Sequence, residues 1–213
     1  MIKLLAKLFK IKSLTSSQLV LVLFVSFLFK TSQAQLLDSL TLDTLTSFIS
    51  IEDGMKNPDA VIKLVLRKSH LKSFPMEILR FKNLQYLDIS KNKIEELPDS
   101  IALFNQLQYL ACSKTGLKII PKTIGKLIHL KYLNLNQNDI ETLPPQIGNL
   151  ENLEMLDLWS NDFSEYPSTL KNLKSLKVLD LRNILISDET QLYITNLLPK
   201  ATVQMSPSCK CKW

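Results

Sequence analysis

Glycine and histidine are both scarce in this sequence. Four glycines in 213 residues leave no loop able to cradle a phosphate with successive backbone N–H groups. Neither His70 nor His129, the two histidines, has a serine, cysteine or acid arranged with it as a nucleophile constellation. No grouping of His, Cys, Asp and Glu has metal-ligand spacing. The sequence therefore offers no catalytic residue, no cofactor and no metal site, and it reads as a non-enzymatic protein. Cysteine is nearly as rare. Cys112 falls at an apolar position and is expected to be buried and inert. Cys209 and Cys211 lie in the terminal "SPSCKCKW", read as a flexible tail over 206–213. Closing a bridge within Cys-x-Cys strains a small ring, although in an exported protein the pair could cross-link to a partner or bind metal.

What the sequence has in abundance is leucine at fixed intervals. The pattern LxxLxLxxNxLxxLPxxIxxLxx starts at Leu84, Leu107, Leu130, Leu153 and Leu176, and more weakly at Val61, with a constant step of 23 residues. One unit reads Leu130, Leu133, Leu135, Asn138, Ile140, Leu143, Pro144, Ile147 and Leu150. The alternating LxL is a short strand with two leucines facing inward. The asparagine at repeat position 9 turns the chain and can bond backbone groups of neighbouring turns. The Leu-Pro step excludes a continuing long helix. A single unit cannot enclose its own apolar flanks, so units of this kind stack into arrays.

"LPPQIGNLENLEMLDLWSN" and "IPKTIGKLIHLKYLNLNQN" resemble leucine-rich repeats of the 23-residue LPxxIGxLxxL type found in Ras-suppressor-like and scribble-like proteins. The resemblance covers roughly positions 51 to 205. It implies an α/β solenoid of about six repeats, curved like a horseshoe, with a parallel sheet on its concave face. It also implies a binding module that holds other proteins. The repeats occupy 61–186. A segment and cap over 35–60 should contain a helical turn that begins at the Ser50 to Asp53 capping-box pattern. A second cap over 187–205 should contain a helix from about Asp188 to Leu198, stopped by Pro199, and a final strand near Thr202 to Met205. Repeats one, three and six carry Ser69, Thr115 and Ile184 in place of asparagine. In the third, a local softening is expected rather than a break.

Repeat positions 3, 5 and 7 point away from the core. Position 3 carries three successive tyrosines, with an expected spacing of about 5 Å per step. Position 7 carries Trp159. The ligand surface read from the sequence comprises Lys63, Arg67, Tyr86, Asp88, Tyr109, Tyr132, Asn134, Met155, Asp157, Trp159, Asp180 and Arg182. Tyrosine and tryptophan dominate binding hot spots, although tyrosines also pair across strands for stability alone. Basic residues gather at one end (Lys63, Arg67, Lys68) and acids near the other (Glu154, Asp157, Asp162).

Residues 1–34 follow a different plan. A lysine-rich start, an apolar run over 19–29 and small residues at Ser32 and Ala34 make the three parts of a secretory signal. Five of the 26 basic residues lie there, so the remainder is close to neutral against 20 acidic residues. The basic balance of the whole chain is therefore no argument for nucleic acid. The sequence reads as an exported or cell-envelope monomer with no membrane span after cleavage, holding a protein or peptide partner. An intracellular or membrane-anchored signalling scaffold and a glycan binder using the tyrosine ladder are the two rival readings. N-terminal sequencing of exported protein is expected to begin at Gln35. A membrane-held product that retains Met1 would identify the leader as an anchor.

Overall fold

The structure is a computed structural model and describes residues 35–208. The leader over 1–34 and the cysteine-bearing tail from 209 lie outside the described residues. The repeats form one sheet of seven parallel strands in sequence order. They are β1 (Lys63–Val65), β2 (Tyr86–Asp88), β3 (Tyr109–Ala111), β4 (Tyr132–Asn134), β5 (Met155–Asp157), β6 (Val178–Leu181) and β7 (Thr202–Met205). From β1 to β6, each residue pairs with the one 23 positions later, as Lys63 with Tyr86 and Leu64 with Leu87. The sequence period is thus the register of the sheet. Strand β7 continues the sheet beyond the repeats, pairing Val178 with Thr202.

Opposite each strand the chain returns through a short 3-10 turn. These turns span Met76–Arg80, Asp99–Leu103, Lys122–Lys126, Pro145–Asn149 and Ser168–Asn172, and each directly follows the proline of its Leu-Pro or equivalent step. Proline fixes the entry angle and removes a donor that the first turn has no use for. Neighbouring turns touch backbone to backbone. A Cβ on Gly125 would lie 2.4 Å from the Gln146 carbonyl oxygen, and one on Gly148 would lie 2.5 Å from that of Thr169. Glycine there permits the close stacking. Between strand and turn runs one continuous apolar core from Val61 to Leu198, with Leu64, Leu87, Leu110, Leu156 and Leu179 fully enclosed.

In the second, fourth and fifth repeats the buried turn after the strand is held by an asparagine. Asn138 Nδ2 donates to the carbonyls of Cys112 and Leu135, at 2.8 Å each. Its Oδ1 accepts from the N–H groups of Thr115 and Leu117 and from Thr115 Oγ1. One side chain thereby satisfies backbone groups of two successive coils. Asn92 and Asn161 do the same in their own repeats. Thr115 reaches less far: its Oγ1 donates to Cys112 O, and Ile94 N–H donates to the Thr115 carbonyl instead of an amide side chain. The third repeat is thus continuous, with the missing amide replaced by backbone. Cys112 is buried, and burial, with a smaller effect from Asp88, pushes its thiol well above its usual range.

Both caps form. Ser50 Oγ accepts from Asp53 N–H and starts a helix over Ile51–Lys56. Ser187 Oγ accepts from Thr190 N–H and starts one over Asp188–Leu197. An additional helix, not expected from the sequence, spans Ser39–Thr44. In chain order these are α2, α3 and α1 respectively. Among the described residues no helix is long and apolar enough to cross a membrane.

Replacing Asn138 by leucine keeps the branched outline in a bulkier side chain and deletes the six hydrogen bonds of the amide. Buried carbonyls and N–H groups left without partners cost about 1–3 kcal/mol each, so the variant is expected to lose about 3 kcal/mol or more in a denaturant titration. Unchanged stability would mean that these groups find other partners.

Candidate functional site

The concave sheet presents three columns of side chains, one for each outward repeat position. Position 3 forms the tyrosine ladder. Tyr86 and Tyr109 are stacked at 4.0 Å between ring centroids and 2° between planes, whereas Tyr132 is tilted by 36° at 6.1 Å from Tyr109. The steps therefore bracket the strand spacing of about 4.8 Å. Lys63 Nζ lies 4.7 Å over the other face of Tyr86, a cation–π contact. Burial raises the phenol pKa of both Tyr86 and Tyr109. Further along the column Met155 is 40% exposed.

Position 5 behaves differently from its reading in the sequence. Asp88, Asn134, Asp157 and Asp180 each accept from the N–H two residues on, at 2.8 to 3.1 Å. Each closes an Asx turn that ends its strand. Asp88 and Asp180 are buried, at 7% and 6% exposed. Their carboxylates also face Arg67 at 3.6 Å and Arg182 at 2.6 Å. These two acids, read from the sequence as ligand contacts, anchor the strand ends and two arginines. Asp157 is half-buried and has its pKa raised by burial, opposed by hydrogen bonds from Trp159 N–H and Asn136 Nδ2.

Position 7 sits on this network. Ser113 Oγ donates to Asn136 Oδ1, and Asn136 Nδ2 donates to Asp157 Oδ2 at 2.6 Å. Trp159 follows, half-buried rather than fully open, with its backbone fixed at 3.1 Å from Asp157 Oδ1 and at 2.8 Å from Gln137 N–H. Its indole N–H has no partner among the described residues.

The N-terminal segment was not anticipated as part of this face. Leu37 N–H donates to Gln85 Oε1 at 2.8 Å, and Gln108 Nε2 donates to the Leu37 carbonyl at 2.8 Å. Both glutamines are almost wholly enclosed, and they bond each other at 2.9 Å. Lys63 Nζ donates to the carbonyls of Leu42 and Asp43 at 3.1 and 2.8 Å, the open C-terminal end of α1. Phe48 then bridges to Leu64 at the sheet edge. Lys63, read as a ligand contact, is thus committed to Tyr86 and to α1. The signal available in the sequence was repeat position 2. Gln85 and Gln108 stand there where later repeats carry Lys131, Glu154 and Lys177.

Family models described as "Leucine-rich repeat region" and "Leucine Rich Repeat" match residues 112–198 and 83–104. A leucine-rich repeat protein of Leptospira interrogans has a similar structure, with a TM-score of 0.59 and 27% identity. The chain is a leucine-rich repeat protein. The fit covers 78% of this leucine-rich repeat chain and 49% of the Leptospira one, so it spans about half of that relative. The plant peptide hormone receptor RGFR1, determined in complex with RGF2, matches at TM-score 0.58 and 27% identity over 69% of this chain and 24% of its own. The ectodomain of the Arabidopsis thaliana receptor kinase GASSHO1/SCHENGEN3, in complex with CASPARIAN STRIP INTEGRITY FACTOR 2, shares the fold at TM-score 0.55 and 23% identity, over 70% of this chain and 18% of that one. No curated protein sequence matches the chain.

Because Lys63 ties α1 to the first repeat, Lys63→Met is expected to loosen that segment alone. Amide exchange at Leu42 and Leu45 should quicken by about fivefold or more, with β4 to β6 unchanged. Equal protection in variant and parent would show that the two glutamines hold the segment without the lysine.

Proposed function

We propose that this leucine-rich repeat protein is exported and binds a peptide or protein partner, without catalysis, on the part of the concave face that begins at Tyr132. The single observation that carries the reading is Trp159. A half-buried indole whose N–H has no partner among the described residues lies two residues past the end of β5, in the same coil as the exposed Met155, and the flanking coils carry Asn134, Asn136 and Arg182. An aromatic anchor within a polar rim is the arrangement in which truncation costs most binding energy. The Asx turns and the Ser113–Asn136–Asp157 chain fix the backbone beneath it, so little ordering remains to be done on binding. Two of the structural relatives were determined with partners bound, RGF2 and CASPARIAN STRIP INTEGRITY FACTOR 2, which supports a polypeptide partner here. Export rests on the order of charge, apolar run and small residues over 1–34.

The glycan reading of the tyrosine ladder is weaker. A sugar stacks on an open ring face, yet Tyr86 has Lys63 on one face and Tyr109 on the other.

Peptides selected from a random display library on the full-length chain provide the test. Trp159→Ala is expected to weaken the selected peptides by about 2 kcal/mol or more, roughly 30-fold in Kd, with little change in Tm. Tyr132→Ala should lose less. If Trp159→Ala binds normally but melts early, the indole is a packing residue and the partner surface lies elsewhere.

A further inference from the structure

A second surface stands apart from the Trp159 site, along the loops that follow the first three strands. Lys68, Lys91 and Lys114 occupy repeat position 8 in three successive coils, and His70 and Lys93 occupy position 10 beside them. With Lys72 and Asn92 they line an open cleft of about 570 Å³. Their backbones are pinned in register: the N–H groups of Lys68, Lys91 and Lys114 donate to the carbonyls of Ser90, Ser113 and Asn136 at 3.1, 2.7 and 3.0 Å. Cα positions therefore recur at about the strand spacing of 4.8 Å.

Three features separate this row from an ordinary solvated face. First, the charges are uncompensated. Among the described residues none of Lys68, Lys72, Lys91, Lys93 and Lys114 has an acidic partner within ion-pair distance, and these five unpaired cations gather in one cleft, whereas Lys118, Lys174 and Lys177 pair with Glu95, Glu151 and Glu154. Second, the like charges act on each other. Arg67 foremost, then Lys68, with slight burial and Lys114 adding, weaken the hold of Lys91 on its proton. Third, the backbone favours other residues. Position 8 is left-handed in every repeat, with φ of 60° at Lys68, 58° at Lys91 and 54° at Lys114. Asparagine tolerates that region better than lysine does, and Asn183 holds the equivalent place in the sixth repeat at φ 58°. Lysine recurs three times where the fold does not call for it.

We propose that this row of lysines is a binding site for a linear sulfated polysaccharide, independent of the Trp159 surface. Lysine presents a compact charge on a flexible stem and reads charge density rather than a planar pair of acceptors. The cleft lining includes no aliphatic side chain and no aromatic ring but the small imidazole of His70, so it gives a protein partner no apolar anchor, successive nucleic-acid bases no run of rings to stack on and a lipid chain nothing to enter. The neighbouring cleft does hold apolar groups, Met76 and Ile119, but Glu95, Glu96 and Asp99 line it too and repel an acidic polypeptide extending that way. A slender chain with an anion on most of its sugars needs only the repeated cations. Binding of this kind is long-ranged and falls as salt screens it.

The test compares heparin binding by the full-length chain with that of a triple variant, Lys68→Asn, Lys91→Asn and Lys114→Asn, which keeps the left-handed backbone. A control triple, Lys122→Asn, Lys126→Asn and Lys171→Asn, removes the same charge from the convex turns, and the leader lysines are common to all three proteins. The patch variant is expected to lose tenfold or more in heparin affinity at physiological salt, with an unchanged thermal melt, and the control to lose less than threefold. Lys93→Gln, outside the left-handed position, should lose threefold and guards against a folding artefact in the triple variant. Equal losses in patch and control variants would overturn the site, because net charge alone would then explain binding. Binding of polyglutamate, a DNA duplex or phosphatidylserine vesicles as tightly as heparin would overturn the assignment to a sulfated glycan.

Discussion

The structure depends on the satisfaction of backbone groups that are buried between coils. Every coil turns sharply after its strand, and that turn is sandwiched between the coils before and after it. Water cannot serve the carbonyls there, and an unpaired buried carbonyl is costly. In the second, fourth and fifth repeats one asparagine meets the demand across two coils at once, as Asn138 does for Cys112 O, Leu135 O, Thr115 N–H and Leu117 N–H, and in the third the Thr115 hydroxyl and carbonyl take part of that role. This links each repeat to its predecessor more firmly than the apolar contacts alone, because leucines tolerate small shifts and hydrogen bonds do not. Together with the leucine core it holds the constant step, the sheet register and the stacking of the outward columns.

The periodic part of the molecule was legible because period and register are the same quantity. Once Leu64 and Leu87 are equivalent, their pairing in adjacent strands is settled, and so are the columns above them. The caps could be read because Ser50 and Ser187 make local contacts, each three residues long. Helix α1 and the segment before it could not be read that way. Their contacts run from Leu37 to Gln85 and Gln108 and from Lys63 back to Asp43, across distances in sequence that no period marks. The roles at position 5 were missed for another reason. An aspartate at an outward strand position has two uses, a ligand or its own turn, and the residue type is the same for both. Only burial separates them, as it does for Asp88 and Asp180.

These contacts divide the concave face. On β1 and β2 the side chains are already engaged: Lys63 with α1 and Tyr86, Tyr86 with Tyr109, Asp88 with Arg67 and its own turn. From Tyr132 onward the sheet faces no other segment in the hydrogen bonds described, and Met155 and Trp159 retain accessible surface. The division has an energetic sense. Aromatic rings stacked face to face gain by burying each other, and a lysine above them leaves little apolar area to draw a ligand. A lone indole over a rigid polar floor has its area still to bury.

The charge distribution adds a second division, between the floor of the sheet and its loop edge. On the floor, acids sit beneath the surface and are answered locally, by backbone N–H groups or by arginines one coil away or two residues on. Their fields are thus largely cancelled at the distance of a ligand. Along the loop edge the lysines at position 8 have no such answer and stand in register. The same lattice that sets the register of leucines inside therefore sets the spacing of cations outside. A stack of coils converts any side chain repeated at one position into a row, and the row's chemistry selects partners that are themselves repetitive. An apolar anchor at one point suits a polypeptide with a particular side chain to bury, while evenly spaced cations suit a polymer with evenly spaced anions. One fold sets both columns, because position 7 gives the N–H that closes the Asx turn and position 8 follows it in the left-handed conformation.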